Sequence, residues 1–161
     1  MKKSPYKRRQ MGLTNYNKRL RLVKGKLPRA VVRISDKYVT CQVINYLPKG
    51  DVTIASFNSK TLNKFGFPGS KNLPSAYLTG LVCGIKAKKA GAKKAVLDTG
   101  LKINIKGSRI YAALKGFIDA GLAIEHDPSV LPKDDRLKGV KLRSGKLFEG
   151  AKDKIIKGDK K

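Results

Sequence analysis

The chain has 161 residues, 40% of them hydrophobic, and sets 37 Lys and Arg against 11 Asp and Glu, a formal charge of +26. That length fits one domain with tails and one apolar core, while no stretch approaches the ~20 apolar residues of a membrane-spanning helix and no apolar run follows the basic N-terminus as a secretory signal requires, so a cytoplasmic protein is expected. Like charge in this excess destabilises a compact state until a polyanion neutralises it, and nucleic acid is the first candidate, because each phosphate met by Lys or Arg releases condensed counterions.

Three zones follow from charge and periodicity: a basic arm over residues 1–27, a patterned globular domain over 28–127, and a Lys/Gly-rich tail over 128–161. The first 33 residues hold 12 Lys and Arg, from Lys2 and Lys3 to Arg33, with no Asp or Glu. Within the arm, Thr14 is placed to cap a short helix in which Tyr16, Leu20 and Val23 share a stripe, with Gly25 and Pro28 ending it.

From Arg29 to Phe57 the apolar period changes to two. Arg29 to Ser35, Tyr38 to Tyr46 and Val52 to Phe57 read as strands of an antiparallel meander. A two-residue turn at Asp36-Lys37 fixes the register: Ile34 faces Val39, Val32 faces Cys41 and Ala30 faces Val43, making one apolar face. The opposite face pairs Arg33 with Thr40, Val31 with Gln42 and Arg29 with Ile44, beside Lys37 and Tyr38, and is expected to be polar and cationic.

Asn63 to Pro74 is dense in Gly, Pro, Asn and Ser and reads as an irregular surface loop. Ser75 then opens a helix with Leu78, Leu81, Val82 and Ile85 at helical spacing, closed before Gly91; Gly80 and Gly84 on a neighbouring stripe suggest close packing on a sheet. Ala95 to Asp98 is a short buried-strand candidate, and Gly107-Ser108 precedes a second helix with Ile110, Leu114, Phe117 and Ile118 on its inner stripe and Gly121 at its end. The order βββαβα requires a crossover, so the fold class is α/β with a mixed sheet. From Pro132 onward 11 basic and 5 acidic residues stand among few large apolar ones; such a tail is either disordered or ordered by a partner.

The inventory for catalysis is poor. His126 lies in a polar stretch without an orienting partner, the two cysteines, Cys41 and Cys83, sit in apolar runs as reduced buried thiols, and two isolated Cys with one His cannot build a zinc site. No phosphate-cradling glycine loop is present. Asp98 at a strand end is the one acid that a metal-dependent nuclease would use, but Asp51, Asp119, Glu125 and Asp127 are scattered. No catalytic residue, metal or cofactor is therefore assigned. Tyr6, Tyr16 and Tyr38 lie among the cations, and rings beside Arg offer stacking as well as charge, which favours RNA. The alternative that charge alone permits is a sequence-indifferent DNA-binding or chromatin-like protein.

Several blocks go further. Lys18-Arg19-Leu20-Arg21-Leu22-Val23, Pro28 to Val39, Gln42-Val43-Ile44, Ala76-Tyr77-Leu78-Thr79-Gly80-Leu81, Lys86 to Gly91, Ala95-Val96-Leu97-Asp98 and Lys106 to Gly116 resemble, in order and spacing, the large-subunit ribosomal protein family L-eighteen in its archaeal form, related to eukaryotic L-five. The resemblance covers residues 5–127 and weakens in the tail; the loop Lys64-Phe65-Gly66-Phe67-Pro68-Gly69 holds Phe where relatives often have Trp. It implies a non-enzymatic protein that binds 5S rRNA and helps attach it to the large-subunit rRNA in the central protuberance, beside neighbouring ribosomal proteins that include the bacterial-type L-five homologue. It also implies a mixed sheet with a ribonuclease-H-like motif. Carried onto this chain, the family's RNA-binding region comprises Lys7, Arg8, Arg9, Tyr16, Lys18, Arg19, Arg21, Arg29, Arg33, Lys37, Tyr38 and Gln42.

Overall fold

A computed structural model describes residues 4–139, 142 and 145–159; Lys2 and Lys3 of the arm, and Lys141, Arg143, Lys160 and Lys161 of the tail, lie outside the described residues. Five strands, β1 (Arg29–Ile34), β2 (Val39–Leu47), β3 (Gly50–Asn58), β4 (Lys94–Asp98) and β5 (Ala123–Ile124), form one mixed sheet in the order β3-β2-β1-β4-β5. The meander is antiparallel, while β4 joins β1 and β5 joins β4 in parallel. The α/β class with a mixed sheet is thus what the alternation of periods required.

The first hairpin has the expected register throughout, from Ile34 opposite Val39 to Arg29 opposite Ile44. Ser35 closes the turn locally: its hydroxyl accepts from the Tyr38 amide at 3.0 Å and donates to the Tyr38 carbonyl at 2.9 Å. Ala30, Val32, Val39, Cys41 and Val43 are buried together on one side. Between Val43 and Ile44 the pairing with β3 shifts by one residue, a bulge that lets Val43 and Ala55 face each other in the core.

Helix α3 (Leu73–Lys89) is the centre of the molecule. Every residue from Pro74 to Gly84 is buried, because the sheet packs on one side, α4 (Arg109–Asp119) on another, and α5 (Asp134–Lys138) with α6 (Gly145–Asp159) on a third. A helix enclosed all round is mostly apolar all round, and its buried Thr79 hydroxyl donates back to the Ser75 carbonyl at 2.6 Å. It starts two residues earlier than Ser75: the Asn72 side chain caps it by accepting from the Ser75 amide at 2.9 Å, and Pro74 sits in the first turn where it lacks no bond.

The glycine stripe faces a helix, not the sheet. A methyl group on Gly80 would stand 2.2 Å from the Ala113 carbonyl oxygen, and one on Gly116 would stand 2.2 Å from the Tyr77 carbonyl oxygen. The two helices therefore cross backbone to backbone, each glycine making room for the other chain. The expected surface loop is shorter than its composition suggests: Ser59–Phe65 form a 3₁₀ helix and α3 begins at Leu73, leaving residues 66–72 irregular, with Phe67 alone among them fully buried.

The described residues of the tail pack on the body of the protein. Its short helix α5 and long helix α6 place Leu137, Phe148, Ala151 and Ile155 in the main core, with the Phe148 ring 5.5 Å from that of Tyr77. Spacings of three and four residues put Phe148, Ala151 and Ile155 on one helical stripe. The Tyr77 hydroxyl donates to Asp119 at 2.7 Å, and burial together with that carboxylate pushes its ionisation up. No helix among the described residues is long and apolar enough to cross a membrane.

Candidate nucleic-acid interface

The arm folds into α1 (Lys7–Gln10) and α2 (Tyr16–Lys24). Asn15 rather than Thr14 caps α2, accepting from the Lys18 amide at 3.0 Å; Thr14 instead accepts from Arg8 Nε at 3.1 Å and ties α1 to the α2 entry. Two side chains dock α2 on the body. Lys18 Nζ donates to Thr99 Oγ1 at 2.8 Å and to the Gly100 carbonyl at 2.9 Å, and Arg19 meets Asp51 at 2.8 Å. The arm thus covers part of the hairpin face that the sequence left open to solvent.

That cover changes the standing of Arg29. Its side chain is only 5% exposed and holds Asp98 at 3.0 Å and Asp51 at 2.6 Å, so it belongs to an internal ion-pair network. Arg33, on the same face, is 48% exposed; it touches Asp98 at 3.4 Å and the Val32 and Asp98 carbonyls. Burial alone would push the Asp98 carboxyl up, but the Gly100 amide and the Arg33 and Arg29 guanidinium groups outweigh it and hold that carboxyl below its usual range. Three donors, the Arg29 and Arg33 guanidinium groups and the Gly100 amide, thus converge on this carboxylate. Among the described residues no group of three or more His, Cys, Asp and Glu is disposed to hold a metal ion.

The structure gathers Arg8, Lys18, Arg19, Arg29 and Arg33 around a cleft of about 490 Å³ between the arm and the sheet. Arg9 and Tyr16 border a smaller hollow beside it. Lys7, Arg21 and Lys37 are exposed, and Tyr38 and Gln42 are half-buried; none of these five lines the cleft. Lys102, Thr99 and Gly100 do line it and were not foreseen. Their signal lay in topology: β1 and β4 are parallel, and open α/β sheets bind ligands beyond the carboxyl ends of such strands. His126 Nδ1 lies 2.8 Å from the Ile124 carbonyl, and the ring is exposed. Cys41 and Cys83 are free and buried; burial pushes the Cys83 thiol up to about 12, against small opposing effects of Lys86 and the Val43 backbone.

A mixed-sheet body with a docked cationic arm and a basic cleft is the build of a protein suited to a polyanion. Comparison with known proteins gives the family. The model of ribosomal large subunit proteins 60S L5 and 50S L18 matches residues 2–91 and 85–127. The large ribosomal subunit protein uL18 of Korarchaeum cryptofilum is 48% identical over 143 residues, 88% of this chain and 73% of that protein. The protein of the same name from Methanothrix thermoacetophila is 43% identical over 159 residues, 94% of each. That of Methanobrevibacter smithii is 46% identical over 138 residues, covering 85% and 72%. The chain belongs to this family of ribosomal large-subunit proteins, which is structural and not enzymatic, and its place is the ribosome.

Proposed function

We propose that the protein binds 5S rRNA and helps attach it to the large-subunit rRNA in the central protuberance, next to neighbouring ribosomal proteins that include the bacterial-type L-five homologue. The observation that carries this reading is a basic arm free of acids, docked so that Arg8 and Lys18 meet Arg33 and Lys102 at one cleft. The arm supplies Lys7, Arg8, Arg9, Lys18, Arg19 and Arg21 without an acid of its own, and the edge of the hairpin adds Arg33 and Lys37. Their partners inside the protein are few: Lys18 bonds only neutral oxygens, and Asp51 and Asp98 are the carboxylates shared among Arg19, Arg29 and Arg33. The positive charge left over suits phosphates.

Within this reading Lys7, Arg8, Arg9, Arg21, Arg33 and Lys37 neutralise phosphates, Tyr16 and Tyr38 offer rings to unpaired bases, and Lys18, Arg19 and Gln42 line the approach. Arg29 acts from inside, positioning Asp98 and Asp51. Titrating full-length protein against 5S rRNA at rising salt tests the reading. With about 6 to 10 phosphates contacted, affinity falls roughly 10³- to 10⁵-fold between about 50 and 200 mM salt, and duplex DNA at matched salt competes poorly. A flat salt response, or equal competition by duplex DNA, would overturn it.

A further inference from the structure

The cationic cleft shares the wall formed by Thr14, Asn15 and Leu101 with a second hollow of about 350 Å³, bordered also by Arg9, Tyr16 and Asn17. The chemistry of the two differs. The cleft presents Arg8, Lys18, Arg33 and Lys102, while Arg19 and Arg29 in its wall are held by Asp51 and Asp98, so it suits a compact anion. The smaller hollow offers an aromatic ring, a guanidinium, two amides, a hydroxyl and an aliphatic side chain with no acid at all, which suits a flat heteroaromatic group with polar edges. Tyr16 is steadied there by Tyr6, whose ring lies 5.3 Å away and tilted by 38°. A base inside a duplex is stacked on both faces and cannot enter a hollow; an extruded one can.

We propose that the two hollows together seat one unstacked nucleotide of the bound RNA, its phosphate among Lys18, Arg33 and Lys102 and its base against Tyr16 and Arg9. The proposal rests on the RNA-binding reading above and adds to it a discrete single-nucleotide subsite at the seam between arm and sheet. Volumes of about 490 and 350 Å³ lie in the range of small-ligand sites. The subsite also gives the docking of α2 a purpose: the bonds from Lys18 to Thr99 and Gly100 hold both walls at a fixed separation before RNA arrives.

The test is base-by-base chemical probing of 5S rRNA bound to the full-length protein, comparing wild type with Tyr16→Leu, Tyr16→Phe, Arg9→Gln and Arg21→Ala, each first shown by urea unfolding to be folded. Wild type and Tyr16→Phe should protect one unpaired nucleotide that becomes reactive again with Tyr16→Leu or Arg9→Gln. Tyr16→Leu should weaken binding roughly 5- to 150-fold, the range of one base-aromatic stack. Arg21→Ala, outside both hollows, should weaken binding at low salt and leave that protection intact. Identical protection patterns for wild type, Tyr16→Leu and Arg9→Gln would overturn the subsite and leave 5S rRNA binding standing. Should 5S rRNA not bind at all, the function proposed above falls, and amide NMR titration of the free protein with nucleoside 5′-monophosphates decides the subsite alone. Shifts centred on Gly12, Asn17 and Gly100 that inorganic phosphate does not reproduce support it, and shifts elsewhere, the same shifts with inorganic phosphate, or none refute it.

Discussion

Replacing Arg29 by Ala separates an internal role from an RNA-contacting one. Its guanidinium, 5% exposed, bridges Asp98, itself 8% exposed, and Asp51, 25% exposed. Removing one member of a buried pair costs about 3–5 kcal/mol because the other charge is stranded. Here Asp51 can rehydrate and keeps Arg19, while Asp98 keeps the Gly100 amide at 2.8 Å and the longer contact to Arg33 at 3.4 Å. The low end of the range applies, about 3 kcal/mol, which for a chain of this size lowers Tm by roughly 6–12 °C. Arg33→Ala, a half-exposed pair, should cost under about 1 kcal/mol and act chiefly on RNA affinity. Substituting Met for Arg29 and Leu for Asp98 together should recover most of the loss, since apolar isosteres of a buried pair are close to neutral. Urea unfolding at pH 7 followed by circular dichroism measures all three. If Arg29→Ala unfolds within about 0.5 kcal/mol of wild type while its RNA affinity collapses, the internal assignment is wrong and Arg29 is a direct contact.

Because the Asp98 carboxyl titrates lower in the folded protein than in the unfolded chain, the unfolded chain binds more protons in acid. The stability Asp98 contributes is then full above about pH 4 and is lost as pH falls through its folded value; urea midpoints between pH 7 and pH 2.5 should fall less steeply for Asp98→Asn than for wild type. Gly80→Ala should destabilise by several kcal/mol or prevent folding, since its methyl would lie 2.2 Å from the Ala113 carbonyl, whereas Gly150→Ala in α6, with nothing within 4 Å, should stabilise by about 0.5–1 kcal/mol in the same assay. Cys41 and Cys83 should resist maleimide at pH 7.5 in the native protein and react fully in urea, because burial pushes both thiols up; rapid native labelling of either would contradict their packing.

The hairpin shows how much can be read locally. Two residues of turn between alternating runs leave one register, and all six pairs from Arg29–Ile44 to Ile34–Val39 follow from it. Helix stripes were equally legible: Ile110, Leu114 and Phe117 recur at helical spacing and all three are buried. β5 was not, since two residues, Ala123 and Ile124, carry no period; they become a strand only because β4 offers them an edge. In the tail, charge dominates the composition and hides a short stripe, Phe148, Ala151 and Ile155, which folding places in the core. Of the residues assigned to RNA binding, those on α1 and α2 are recognisable by unrelieved charge. Lys102 is not, because its approach to the cleft depends on the crossover through α3 that lays β4 beside β1.

The sequence by itself determined the secondary-structure periods, the meander register, the mixed α/β class and the cationic character of the chain, all of which depend on neighbours a few residues apart or on simple totals. Tertiary structure alone decided which cations remain available to a partner. Arg29 and Arg33 look alike on β1, yet one is enclosed by Asp51, 22 residues away, and Asp98, 69 residues away, while the other keeps half its surface. Charge counts add along a chain, whereas the pairing and desolvation that commit a charge depend on distances that only folding sets.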